Sequence, residues 1–375
     1  MQNTGSQFLE LGQPAKSMAE SIEMIHNVIA SRYSGVDRVA MAVYDAASDT
    51  LKTFVSSNHD GMALIAYEAK LENVPSLQLL AKRHQSRVVQ DIEGNFPTLS
   101  RHGDWLKDKG YLSSYTVPIY QRDTLAGFVF FDSKSPHFFT EESARFLDMF
   151  TGLIAQLYLL QLTAVRSLIG TVHIASDLAK VRDLETGNHL ERMACYSRII
   201  AKELAQIYAL PDEFVEYVYL FAPLHDIGKV GVPDRILFKP SKLDDEEWLT
   251  MRRHVEMGES LINQIIIELG MAENMSARVM RNMVAGHHER GDGSGYPRGL
   301  LMADIPLEAR IVAVADVFDA LTNQRTYKLA WAEEAVWAEL QREVELGRLD
   351  AACVNALRHA EQERRVIQER FADVL

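Results

Sequence analysis

The sequence predicts an α+β domain followed by an all-α domain, the two joined by one long helix. Three observations carry that expectation. Two pairs of β-rich runs lie between Arg38 and Ser133, each pair broken by a short polar turn. An apolar three-and-four spacing begins near Thr140 and continues without proline towards Asp183. Beyond Asp183 nearly every segment reads as helix with polar loops. A chain of 375 residues is also too long for one comfortable core, so two domains are the default.

Residues 17–33 place Met18, Ile22, Ile25, Val28 and Ile29 at helical spacing, which predicts an amphipathic helix. RVAMAVYD and LKTFVSS then flank the polar AASD and predict a hairpin; IAYEAKL and SLQLLAKRH return to a helical pattern. YTVPIYQRDTLAGFVFFDS repeats the hairpin logic with QRDT at its turn. The order predicts a mainly antiparallel sheet with flanking helices over residues 18–150, after an N-terminal extension at 1–17. In the long helix that follows, Phe150, Leu153, Leu157 and Leu160 form an apolar seam that runs on through Val165, Leu168 and Val172. Two readings fit it: a buried core helix, or a linker over 151–180 that pairs two copies and carries a signal. The remainder, 181–375, is expected to be one helical domain.

The composition narrows the function. A net charge of -13 argues against binding a nucleic-acid polymer, though metal ions can invert the local potential for a small phosphorylated substrate. Two distant cysteines, Cys195 and Cys353, do not make a disulfide framework, which fits a reducing compartment. MQNTGSQFLELGQPAK has no basic stretch leading into an apolar run, and no window is apolar enough to span a bilayer. The expectation is a cytoplasmic protein with no membrane partner.

Three fragments of the second half concentrate groups that bind metals. ETGNH places Glu185 and His189 four apart, which stacks them on one helix face. APLHDIGKVGVPD carries His225 and Asp226 side by side, and AGHHERGDGSGYPRGL carries His287 and His288 before a glycine-rich loop. His254 in MRRHVEMGE and Asp316 in RIVAVADVFDAL complete the set. Adjacent residues on a regular helix diverge by about 100°, yet both can reach a metal pair from the helix edge. Imidazoles and carboxylates without thiolate suit iron, manganese or zinc. Carboxylates that bridge two ions about 3.5–4 Å apart support hydrolysis by a bridging hydroxide.

Residues 165–360 resemble the HD-GYP domain, a subgroup of the HD superfamily of metal phosphohydrolases. The resemblance rests on DLETGNHLERM, APLHDIGKVGVPDRIL, KPSKLDDEEWLTMRRHVEMG, HHERGDGSGYPRGL and IPLEARIVAVADVFDALTNQRTYK. It implies a phosphodiesterase that converts cyclic di-GMP to pGpG and often GMP, at a site of two or three divalent ions, commonly iron or manganese. It assigns His189, His225, Asp226, His254, His287, His288 and Asp316 as ligands, and Glu185 as the carboxylate of a third ion. Lys229 matches a lysine near the scissile phosphate, and Arg325 and Lys328 match substrate contacts. Gly295, Tyr296 and Pro297 form the loop that names the family, through which diguanylate cyclases are expected to dock. Asp183 is a further acid/base candidate. The chain departs from the family pattern at Thr326 and Val255, where proline is usual, and at Met302, where glycine is usual.

Residues 18–160 resemble a GAF domain, on the order of elements and the LAGFVFFDS strand. That implies a small-molecule ligand or none, with pairing of two copies through the linker helix. His26, His59, His84, His102 and His137 lie here without ligand spacing, and no cysteine is present to hold a bilin. Two other readings of the second half remain: an HD phosphohydrolase for another nucleotide, and a catalytically silent cyclic di-GMP receptor. The GYP loop with Arg325 and Lys328 weighs against the first, and the filled ligand positions weigh against the second.

Overall fold

The computed structural model describes residues 17–46, 48–58, 64, 67–95, 101–180, 187–268, 274–323 and 331–372, for the backbone only over 161–180. Helix α1 (Met18–Arg32) starts at a capping box: Ser17 Oγ accepts from the Glu20 N–H at 3.1 Å, and the Glu20 carboxylate accepts from the Ser17 N–H at 2.8 Å. Its buried face is Met18, Ile22, Ile25 and Ile29, whereas Val28 is 54% exposed and lies off the expected stripe. Strands β1 (Arg38–Asp45) and β2 (Thr50–Asn58) pair antiparallel, as do β5 (Ser113–Gln121) and β6 (Thr124–Ser133). Between them come β3 (Glu68–Lys70), α2 (Pro75–Arg83), β4 (Arg87–Val89), α3 (Ile92–Asn95) and α4 (Arg101–Asp108). The sheet order is β3-β2-β1-β6-β5-β4. At the QRDT turn Arg122 and Asp123 have φ of 46° and 64°, the left-handed pair that a two-residue hairpin needs.

One expectation is corrected here. IAYEAKL reads as helix, but Glu68–Lys70 pair with Thr50–Lys52 as β3, and Leu71–Asn73 form a 3-10 turn. The open edge of β2 supplies ladder partners, and that tertiary pairing overrides a short local preference.

Alternation along β1 builds two cores. Val39, Met41 and Val43 face α1 and α5 (Glu141–Lys180), while Ala40 and Ala42 face α2. Of the apolar seam on α5, Phe150 and Leu157 pack into the first of these cores, whereas Leu153 and Leu160 are 47% and 72% exposed. The seam as a whole is therefore not free for pairing; only part of it is.

The second half consists of α6 (Gly187–Tyr208), α7 (Asp212–Phe221), α8 (Asp234–Leu237), α9 (Asp245–Arg252), α10 (His254–Glu268), α11 (Met275–Gly286), α12 (Leu307–Thr322), α13 (Glu333–Glu345), α14 (Ala351–His359) and α15 (Glu361–Arg370). Tyr196, Val218, Ile262, Met283 and Phe318 are fully buried and join α6, α7, α10, α11 and α12 in one core. Cys195 and Cys353 are both free thiols within helices. Helix α7 lies against β2: Asp212 accepts from Thr53, and Glu216 is 3.8 Å from Lys52. Glu68 meets Arg198 and, at 2.8 Å, Lys202 of α6. A cavity of about 150 Å³ in the first half is walled by Arg38, Tyr67, His102 and Phe130, and also by Asp212 and Glu213 of α7. Among the described residues no helix is long and apolar enough to cross a membrane.

Candidate metal centre

The chain between α7 and α8 is two back-to-back 3-10 turns, Ala222–Leu224 and Ile227–Gly231, with His225 and Asp226 at their junction. The sequence reading placed this pair on a regular helix; the structure does not. Pro223 opens the first turn, and Gly228 brings the second against α10. A Cβ on Gly228 would collide with the His254 carbonyl oxygen and come within 2.5 Å of the Gly258 amide nitrogen. That close backbone approach sets His225 and Asp226 beside His254.

Seven of the eight expected ligands converge. Asp226, His254, His287 and His288 offer atoms within 4.8 Å of one another, and so do His189, His225 and Asp316. The two groups adjoin, since His225 Nε2 is 3.2 Å from Asp226 Oδ2 while Asp226 Oδ1 is 3.2 Å from His254 Nε2. The eighth, Glu185, lies outside the described residues, as do Asp183, Arg325, Lys328 and the departure at Thr326.

The histidine tautomers are fixed from behind. Nδ1 of His225, His254 and His287 lies 2.8, 2.7 and 3.0 Å from the carbonyls of Ala222, Met251 and Val284, each three residues earlier. Nδ1 of His189 is 2.7 Å from Asp319 Oδ2. With Nδ1–H donating, the lone pair sits on Nε2, and all four Nε2 atoms are buried without a hydrogen-bond partner. Buried polar atoms without partners are costly, and four converging on two carboxylates fit a pair of divalent ions.

The charges agree. Burial pulls His225 down, but Asp226 and Asp316 outweigh it and hold the imidazole up at about 9. Burial opposes ionisation of Asp226 too, yet Lys229, with Nζ at 2.7 Å, and His225 hold it well below the usual carboxylate range. His287 is lowered by burial, and His288 well lowered by burial and by His287. Positive charge is thus favoured beside Asp226 while His287 and His288 are held neutral, and a metal can supply that charge in place of a proton.

Comparison with known families matches residues 178–353 to a model described as HD domain and residues 24–157 to one described as GAF domain. The chain joins a GAF domain to an HD domain. Among curated relatives, the chain is 41% identical over 169 residues to 3'3'-cGAMP-specific phosphodiesterase 2 of Vibrio cholerae, covering 45% of this chain and 30% of the relative. It is 45% identical over 177 residues to the cyclic di-GMP phosphodiesterase response regulator RpfG of Xanthomonas campestris, covering 47% and 43%. It is 40% identical over 177 residues to a cyclic di-GMP phosphodiesterase of Thermotoga maritima, covering 46% and 44%. The chain therefore spans less than half the length of each of these relatives.

Two parts of the HD domain escaped the sequence reading. Asp319 is 2% exposed, and Arg192 Nε donates to its Oδ1 at 2.6 Å while its Oδ2 faces His189. The signal was present: Asp319 is three residues after Asp316, and Arg192 three after His189, on shared helix faces. Glu289, 3% exposed, accepts from the Arg298 and Leu300 N–H groups at 2.7 and 2.9 Å and so shapes the loop that follows His288. In that loop Gly295 lies where a Cβ would press on the Glu289 and Arg290 backbone, and the Tyr296 ring is 4.7 Å from that of His288, with Pro297 next.

Asp319→Asn is expected to lower metal affinity about 10–100-fold, the usual cost of an outer-shell partner. It also removes the charge that pairs with the buried Arg192 guanidinium and should cost about 3–5 kcal/mol of stability. A metal titration followed by fluorescence, alongside a melting curve, checks both. A lower melting temperature with unchanged metal affinity would show that Asp319 supports the fold and not His189.

Three of the GAF histidines have neighbours within the domain. His26 Nδ1 is 2.9 Å from Ser57 Oγ and its Nε2 2.8 Å from the Val36 carbonyl; His84 stacks on Tyr120 at 4.2 Å. His102 packs beside Tyr67 and Phe130, and burial drives it down to about 3. His59 lies outside the described residues.

Proposed function

We propose that this chain is a metal-dependent phosphodiesterase that hydrolyses cyclic di-GMP to pGpG and onward to GMP. The observation that carries the reading is the set of four buried Nε2 atoms aimed at Asp226 and Asp316. In this reading His189, His225 and Asp316 hold one ion, Asp226, His254, His287 and His288 hold a second, and Glu185 serves a third. Bound ions lower the pKa of water from 15.7 to about 7 and offset phosphoryl charge. Iron is the proposed metal, with manganese as the substitute.

The reaction adds the oxygen of water to phosphorus and breaks the P–O3′ bond; the departing O3′ takes up a proton, and the new terminal phosphate keeps the water oxygen. Lys229 stands beside Asp226 with a point charge for a nonbridging phosphate oxygen. Arg325 and Lys328 are proposed to grip the rest of the substrate, and Asp183 to move the proton. Gly295, Tyr296 and Pro297 form the wall of the site and the proposed docking loop for diguanylate cyclases. The GAF domain is proposed to regulate the HD domain, with or without a small molecule in its cavity, in a cytoplasmic homodimer.

Anaerobic purification, metal analysis and chromatography of products from cyclic di-GMP test this reading. Two or three ions per chain with pGpG formed is the expected result; a metal-loaded protein that leaves cyclic di-GMP intact overturns it. Relatives are named for both cyclic di-GMP and 3'3'-cGAMP, so the second dinucleotide belongs in the same assay.

Pairing of two copies is assigned to Met149, Leu153 and Leu160, which are 65%, 47% and 72% exposed on α5. Leu153→Asp with Leu160→Asp is expected to give a monomer by light scattering. A dimer that survives both changes would place the contact elsewhere.

A further inference from the structure

We infer that Arg252, set against Trp248 and Tyr296, reads a guanine base of the substrate and that Trp248 supplies its stacking surface. The inference rests on the proposed cyclic dinucleotide substrate. Helix α9 starts at an Asp244 capping box, ends at Arg252 and has no buried residue, yet it carries a tryptophan that is 44% exposed. The Arg252 guanidinium lies 5.6 Å over the Trp248 ring and 4.8 Å over the Tyr296 ring. Tyr296 in turn lies 4.7 Å from the His288 ring and 6.5 Å from the His254 ring. One aromatic ring therefore separates this cation from two members of the metal cluster.

Two other cations near the centre are matched to carboxylates. Lys229 is 2.7 Å from Asp226, and Arg298 reaches both oxygens of Glu259 at 2.7 and 2.5 Å. Arg252 has rings instead, and its Nε is buried with no hydrogen-bond partner among the described residues. A guanidinium on an aromatic face keeps its N–H edge available for an acceptor that the described residues do not supply.

The reacting phosphate belongs to the seven-residue cluster and Lys229, so a group one ring further out meets what lies beyond that phosphate. In a cyclic dinucleotide this is a base. The guanidinium fork matches O6 and N7 of guanine, whereas adenine presents an amino donor in place of O6. The exposed Trp248 indole gives a base a stacking face that tolerates either purine.

The test is steady-state kinetics of the metal-loaded full chain on cyclic di-GMP and cyclic di-AMP, with metal analysis of each variant. Arg252→Gln is expected to raise KM for cyclic di-GMP on the order of tenfold and to reduce the preference over cyclic di-AMP by a similar factor. Arg252→Lys keeps the charge without the fork and should not restore the preference. Trp248→Ala should raise KM for both dinucleotides alike. An unchanged preference in Arg252→Gln overturns the base contact, and so does a uniform loss on both substrates, which would mark a phosphate contact. Loss of metal in Arg252→Gln would show action through Tyr296 on His288, which also overturns it. Wild-type hydrolysis of bis(p-nitrophenyl) phosphate, which has no base, reports the phosphodiesterase reading separately. A wild type that hydrolyses that ester but neither dinucleotide removes the proposed substrate and this base contact with it.

Discussion

Asp226→Ala is expected to abolish hydrolysis and to empty both halves of the metal centre. Its Oδ2 lies 3.2 Å from His225 Nε2 and its Oδ1 3.2 Å from His254 Nε2, so it stands between the two ligand groups. The loss should exceed the roughly 100-fold that removal of an outer-shell partner costs. The fold should survive, because the Lys229 side chain left behind is 24% exposed and can turn to water. Asp226→Asn keeps the volume and removes only the charge, so it should share the defect. Metal analysis with product chromatography checks this; normal metal content and turnover in either variant would sink the assignment.

Gly228→Ala is expected to do comparable damage without touching a ligand. The added methyl collides with the His254 carbonyl oxygen, a backbone atom that cannot swing aside, and crowds the Gly258 amide. Overpacking of this kind costs at least about 1–3 kcal/mol. Relief requires the 3-10 turn to part from α10, which carries His225 and Asp226 away from His254. The expected result is a lower melting temperature together with loss of metal. A variant that melts normally and binds its ions would show that the turn can shift without opening the cluster.

How far the sequence reached depended on how strongly chemistry constrains each residue. Histidines and carboxylates in apolar helical surroundings have few other uses, so His189, His225, His254 and Asp316 stood out although they lie far apart in the chain. The antiparallel hairpins were legible for a related reason, since alternation along β1 and β6 is written directly in residue type. Strands β3 and β4, three residues each, carry too short a pattern and exist only because β2 and β5 offer them edges. The geometry at His225 and Asp226 was hidden because a 3-10 turn has no distinct periodicity. On α5, Phe150 and Leu157 look like Leu153 and Leu160 in sequence, and only the position of the sheet separates core from surface. Asp319 and Arg192 were passed over because a buried ion pair looks, residue by residue, like a solvated helix face.

Helix α7 links two places that the chain order keeps apart. Its first turn contributes Asp212 and Glu213 to the wall of the GAF cavity, and its last residue, Phe221, precedes the 3-10 turn that delivers His225. Ten residues at 1.5 Å per residue make a strut of about 15 Å. Such a strut transmits a push along its axis with little loss, because shortening it would break backbone hydrogen bonds. The GAF cavity and the candidate metal centre are thus separated by a single lever arm, in parallel with the much longer route through the 40 residues of α5.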